Sequence, residues 1–196
     1  MPQYLPHLSL SQGQVAWVLS LGQPPAKLLV DQMRYLRTLG VPFTTKELGG
    51  GRGNWLRSDY YQLVETGAAI AAIRRGMSPA EAAKVLVDNR AELRPLYRQA
   101  FLEQPDAALQ ASWVKSRGRE QALPANRIDL RLHKRYSSSP GKIEIVLPGR
   151  ELPGTQLGDA VEQFDDDTLA LVPLSRLVLE WTAWALEAPE IKPGPK

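Results

Sequence analysis

Apolar positions recur at helical spacing through roughly the first hundred residues and switch to alternation after residue 127. Leu10, Val15, Trp17, Val18 and Leu21 predict a short helix within residues 9–21 that Gly22 ends. Pro24-Pro25 suits the start of a second helix, over 25–39, because a missing N–H costs little in a first turn. Leu28, Leu29, Met33, Leu36 and Leu39 form its apolar stripe; Lys27, Asp31, Arg34 and Arg37 take the opposite face, and Gly40 closes it. In Val41 to Arg57, the glycines at 49, 50, 51 and 53 separate β-prone Phe43-Thr44-Thr45 from Asn54-Trp55-Leu56, which predicts a hairpin. Ser58 is the expected N-cap of a third long helix, reaching about Arg75. Its apolar residues (among them Leu63, Val64, Ile70 and Ile73) cover more than one face, so burial is expected, and Gly76 ends it.

Ser78-Pro79-Ala80-Glu81 is a capping box with proline in the first turn. The helix it opens is expected to run toward Glu103, with Pro95 kinking or breaking it. Leu86, Asn89, Leu93, Leu96 and Ala100 form a coiled-coil-like seam with one polar position. Residues 1–103 thus form an N-terminal unit, and 104–126, with Ser116-Arg117-Gly118-Arg119, a linker. In 127–190, Ile128, Leu130 and Leu132 alternate with Asp129, Arg131 and His133 as a half-buried strand. Ser137 to Gly141 is a turn, Lys142 to Leu147 the returning strand, and Thr168 to Val172 a third. Leu174, Leu177, Val178 and Trp181 mark a final helix, with Trp181 in the core and Trp184 at an edge. The fold class expected is mainly α with small β elements, an N-terminal unit followed by a small C-terminal α+β unit.

Composition narrows the function. The 196 residues hold no cysteine, so disulfides, thiol nucleophiles and thiolate metal sites are excluded. No apolar run has membrane-spanning length, and the first ten residues lack a signal-peptide pattern, so a cytoplasmic location is expected. Net charge is +3, unevenly spread. Residues 1–57 hold six basic side chains against Asp31 and Glu47, whereas 121–196 hold nine basic against eleven acidic. A front-loaded positive field is what phosphate binding needs.

The order helix, helix, Gly-rich hairpin, helix, capped helix is that of a winged helix-turn-helix, in which the second helix enters a major groove and the wing reaches the adjoining backbone. Three segments carry a family resemblance. Met33-Arg34-Tyr35-Leu36-Arg37-Thr38-Leu39-Gly40-Val41 resembles the "LRYYERLGL" segment of the MerR transcriptional regulators. Arg52-Gly53-Asn54-Trp55-Leu56-Arg57-Ser58 is similar to that family's wing exit, "GYRLYSEED". Arg74-Arg75-Gly76-Met77-Ser78-Pro79-Ala80-Glu81 is similar to "RELGFSLEEI". The resemblance covers about residues 9–90. It departs from the family in the longer turn at 22–26, in Leu36 where the family has a second aromatic, in extra wing glycines and in Pro95. It implies that Arg34 and Tyr35 contact DNA from the second helix, and Arg57 and Arg52 from the wing, with Asn54 and Trp55 at its tip. Lys27 and Arg37, on the same helix as Arg34, complete the expected surface.

Each assignment has a structural rival. Arginines on helices are commonly just solvated, Trp55 can pack wing against core, and Tyr35 can cover a core edge. Asp165-Asp166-Asp167 lacks the spacing of a calcium loop and fits a solvated loop. Ser137-Ser138-Ser139 lacks the flanking glycines of a nucleophile elbow, and no catalytic set was found at meaningful spacing, so neither an enzyme nor a cofactor is expected. The leading expectation is a sequence-specific regulator of double-stranded DNA, acting as a homodimer, its C-terminal unit serving oligomerisation, effector sensing or partner contact. The alternative is a protein-interaction adaptor on a MerR-like scaffold that no longer binds DNA.

Overall fold

A computed structural model describes residues 4–44, 47, 56–102, 104, 128–133, 143–146 and 169–190. The described residues are mainly helical. Six helices, α1 (Gln12–Leu19), α2 (Lys27–Thr38), α3 (Tyr60–Ile73), α4 (Pro79–Asp88), α5 (Arg90–Leu102) and α6 (Leu174–Leu186), accompany strands β1 (Asp129–His133), β2 (Ile143–Val146) and β3 (Leu169–Val172).

Local chemistry starts three of the six described helices. Ser11 with Gln14, Asp59 with Gln62 and Ser78 with Glu81 each form a reciprocal capping box, two orphan N–H groups being satisfied at every one. The cap of α3 is therefore Asp59 and not Ser58. The backbone of Ser58 is committed elsewhere, exchanging both hydrogen bonds with Leu10 at 2.7 and 2.9 Å in an antiparallel bridge. Helices α4 and α5 are separated at Asn89, six residues before the expected break at Pro95, which lies inside α5. The Asn89 side chain donates to the Val85 carbonyl at 2.8 Å, while its own carbonyl accepts from Glu92 and Leu93. It thus closes one helix and opens the next. Phe43 and Thr44 are not strand residues as expected; Glu47 is helical, and its carboxylate accepts from the Thr44 N–H at 2.7 Å and hydroxyl at 2.8 Å. That reciprocal Thr/Glu pattern favours a helical start over a β-hairpin leg at this point.

The three strands form an antiparallel sheet of order β2-β1-β3, with Leu130 opposite both Ile145 and Val172. A single apolar cluster includes Leu36, Leu63, Ile70, Leu86 and Leu93 from the helices of the first hundred residues together with Ile128, Leu130, Val172, Leu174 and Trp181. Burying each large aliphatic side chain contributes about 1.5–3 kcal/mol. Leu86, Leu93 and Ala100 of the expected coiled-coil-like seam are fully buried within the chain itself. Ser175 fastens β1 to α6: its hydroxyl accepts from the Ile128 N–H at 2.9 Å and its own N–H donates to the Ile128 carbonyl at 3.1 Å.

Trp181 is buried as expected, and its ring lies where a Cβ on Gly67 would come within 2.5 Å of it, so α3 and α6 approach closely only because residue 67 has no side chain. Trp184 sits at the edge, its ring 5.4 Å from that of Trp17 in an edge-to-face pair. Of the expected linker 104–126 only Gln104 is described; the rest of it, the turn from Ser137 to Gly141 and Asp165-Asp166-Asp167 lie outside the described residues.

Candidate nucleic-acid interface

Helix α2 is fixed by Leu29, Met33 and Leu36, three buried residues at steps of four and three. That stripe turns the opposite face outward, and it carries Lys27, Arg34, Tyr35 and Thr38, all exposed. Leu28, expected in the apolar stripe, instead stands 69% exposed on the outer side, one residue off the buried line, and Tyr35, seven residues later, is 49% exposed. The outer face therefore mixes two cations with two large apolar groups.

Asp31 lies between the cations. Its carboxylate is 3.6 Å from Lys27 Nζ and 3.5 Å from Arg34 Nη1, both open pairs at solvent-exposed positions. Pairs of this kind contribute only about 0–1 kcal/mol and exchange readily for another anion. Lys27 and Arg34 are thus available to a phosphate, although Asp31 lowers the local positive potential.

Arg37 has a different role. It is half-buried, donates from Nη1 to Gln12 Oε1 at 2.8 Å and lies 6.0 Å from the Phe43 ring centroid. It ties α2 to α1 and to the chain leaving α2, which places it with the scaffold and not on the outward face. Arg57 is exposed and donates to the Ser9 carbonyl at 3.1 Å, beside the Leu10–Ser58 bridge. Arg52, Asn54 and Trp55 lie outside the described residues.

Sequence reasoning missed the groups that hold this surface in place. Glu65 on α3 is 2% exposed, and Arg90 at the start of α5 meets it with both Nε and Nη2. The same Nη2 donates to the carbonyl of Gly40, just beyond α2. Burial raises the Glu65 carboxyl above its ordinary value, against the pull of Arg90. The Tyr60 hydroxyl donates to the Tyr97 carbonyl at 2.6 Å in the same interior. Glu47 is held below the ordinary carboxylate range, chiefly by the Thr44 N–H, with Arg90 and Arg94 adding to the effect. A glutamate on a helix whose apolar residues cover more than one face was the one available sequence signal for Glu65.

Among the described residues, no three His, Cys, Asp or Glu side chains lie close enough to hold a metal ion, and no helix is long and apolar enough to cross a membrane. No protein-family model, curated protein or solved structure matches this chain.

Proposed function

We propose that this chain is a cytoplasmic DNA-binding regulator on a MerR-like winged scaffold, which lays the outward face of α2 against double-stranded DNA. The observation that carries the reading is the division of α2: Leu29, Met33 and Leu36 are buried, while Lys27, Arg34, Tyr35 and Thr38 point away from the core on the second helix of a helix–turn–helix order. A helix held this way presents donors to phosphates and base edges without disturbing its packing. Arg57, exposed some twenty residues after α2, supplies a further phosphate contact in this scheme. The test is fluorescence anisotropy on random-sequence duplex DNA across a salt series. Binding that weakens steeply with salt, with a slope that becomes shallower by about one for each phosphate contact deleted in Lys27→Ala and Arg34→Ala, supports it. No binding at low salt would sink it.

A second reading has its own observation. Leu28 and Tyr35 are exposed seven residues apart on α2, and Asp31 lies between the two cations. Exposed apolar groups of this kind also suit a partner protein. In that case Leu28→Ala, and not Arg34→Ala, abolishes the interaction. Dimerisation, which a two-fold DNA site would require, is checked by light scattering on the full chain.

A further inference from the structure

A concave site lies between α1, α3 and α6. A cavity of about 270 Å³, open on one side, separates the exit of α1 from α3 and α6. Leu19 and Leu21 form one wall, Ile70 and Ala71 the floor, and Leu177 and Trp181 the other wall. Its size approaches the lower end of small-molecule pockets. Close packing normally removes such volume from between helices.

Charged groups line it as well. Arg74 and Arg75, at the end of α3, line the cavity, and both are exposed. Arg176 on α6 is near enough to repel Arg75, and Arg74 does the same. Arg75 donates to the Ala71 carbonyl at 2.9 Å, and no carboxylate among the described residues pairs with any of the three. Glu180, which also lines the cavity, is partly buried, has no ion-pair partner within 4.0 Å among the described residues, and has its carboxyl raised by burial against the pull of Arg176. The two guanidinium groups on the lining favour an anion. A partly desolvated carboxylate with no close ion pair, next to an indole, favours an ammonium group.

We infer that this cavity binds a zwitterionic, amino-acid-like molecule whose apolar side chain lies against Trp181 and Ile70, its acid on Arg74 and Arg75 and its amine on Glu180. A simple organic acid would leave Glu180 facing an apolar tail, and a simple amine would meet the field of the arginines. A ligand bearing both charges complements the two arginines and the glutamate together. The site is separate from the α2 face and does not depend on DNA binding.

The experiment is isothermal titration of the full chain with three probes sharing one side chain: L-phenylalanine, 3-phenylpropionate and phenethylamine. Phenylalanine is expected to bind one-to-one, with each single-charge analogue weaker by about tenfold or more, the usual value of a charge-assisted hydrogen bond. Glu180→Gln should weaken phenylalanine about tenfold while leaving phenylpropionate unchanged or tighter. Ala71→Leu, which fills the floor, should abolish binding with the circular dichroism spectrum retained. Equal affinity for phenylalanine and phenylpropionate overturns the role of Glu180. No heat from any probe up to about 5 mM, weaker than a ligand of this size should need, overturns the site.

Discussion

One guanidinium, that of Arg90, binds two partners from different parts of the chain: its Nη2 lies 2.6 Å from Glu65 Oε1 and 2.5 Å from the Gly40 carbonyl. It therefore ties the exit of α2 to the middle of α3 and the start of α5. Glu65 is almost fully enclosed, so this pair is not screened like the surface pairs on α2. Replacing Arg90 with alanine should destabilise the fold by about 3–5 kcal/mol, because a buried carboxylate loses its counter-charge. A double Glu65→Leu/Arg90→Met variant should recover most of that loss. Urea unfolding of the three proteins decides the point; a single variant as stable as wild type would show that the pair is dispensable.

Gly67 allows α3 to meet Trp181, and an added Cβ would lie 2.5 Å from the indole. Gly67→Ala is expected to cost about 1–3 kcal/mol through overpacking. Shrinking the partner should relieve it. In a double-mutant cycle with Trp181→Leu, the two losses should fall well short of adding, and simple additivity would mean that the clash is absorbed elsewhere.

Asp31 is the acidic group facing Lys27 and Arg34 on the candidate DNA surface. Asp31→Asn removes both its repulsion of phosphate and its hold on the two cations. DNA affinity should rise several-fold at low salt, with a steeper salt dependence. A fall in affinity would point to Asp31 as an organiser of the interface.

The pH dependence of stability has a sign that follows from Glu180. Its carboxyl is raised by burial, so the folded chain takes up a proton more readily than the unfolded one. Its contribution is favourable below the ordinary carboxylate value and is lost as pH rises through the raised one. Glu180→Gln should therefore raise the melting temperature near pH 7 and leave it nearly unchanged near pH 4. Thermal unfolding at the two pH values measures this; equal shifts at both would assign the effect to packing.

What was legible in the sequence was local. The Ser78 capping box is written within four residues, and Gly22, Gly40 and Gly76 all adopt positive φ at helix ends. The 3.6-residue period placed Leu29, Met33 and Leu36 inward and Lys27 and Arg34 outward. Asn89 was less legible, because an asparagine in a helical seam can serve as a polar core position or as a cap, and only the geometry of Val85 decides between them. The destination of Arg37 depends on where α1 places Gln12, twenty-five residues away. Glu65 and Arg90 are separated by the same span, and no periodicity links an acid on one helix to a base two helices later. Leu28 stands one hundred-degree step around α2 from its buried neighbour Leu29, at the margin of the apolar stripe, where what packs against that margin decides burial and not the residue type.

The Leu10–Ser58 bridge, with Phe43 buried at the other end, anchors the chain on both sides of the stretch between them. Two helix entries thereby share one pair of backbone hydrogen bonds, since Leu10 stands just before the cap of α1 and Ser58 just before the cap of α3. Neither entry can open without breaking that pair, so the amides of Leu10 and Ser58 are expected to exchange with solvent together.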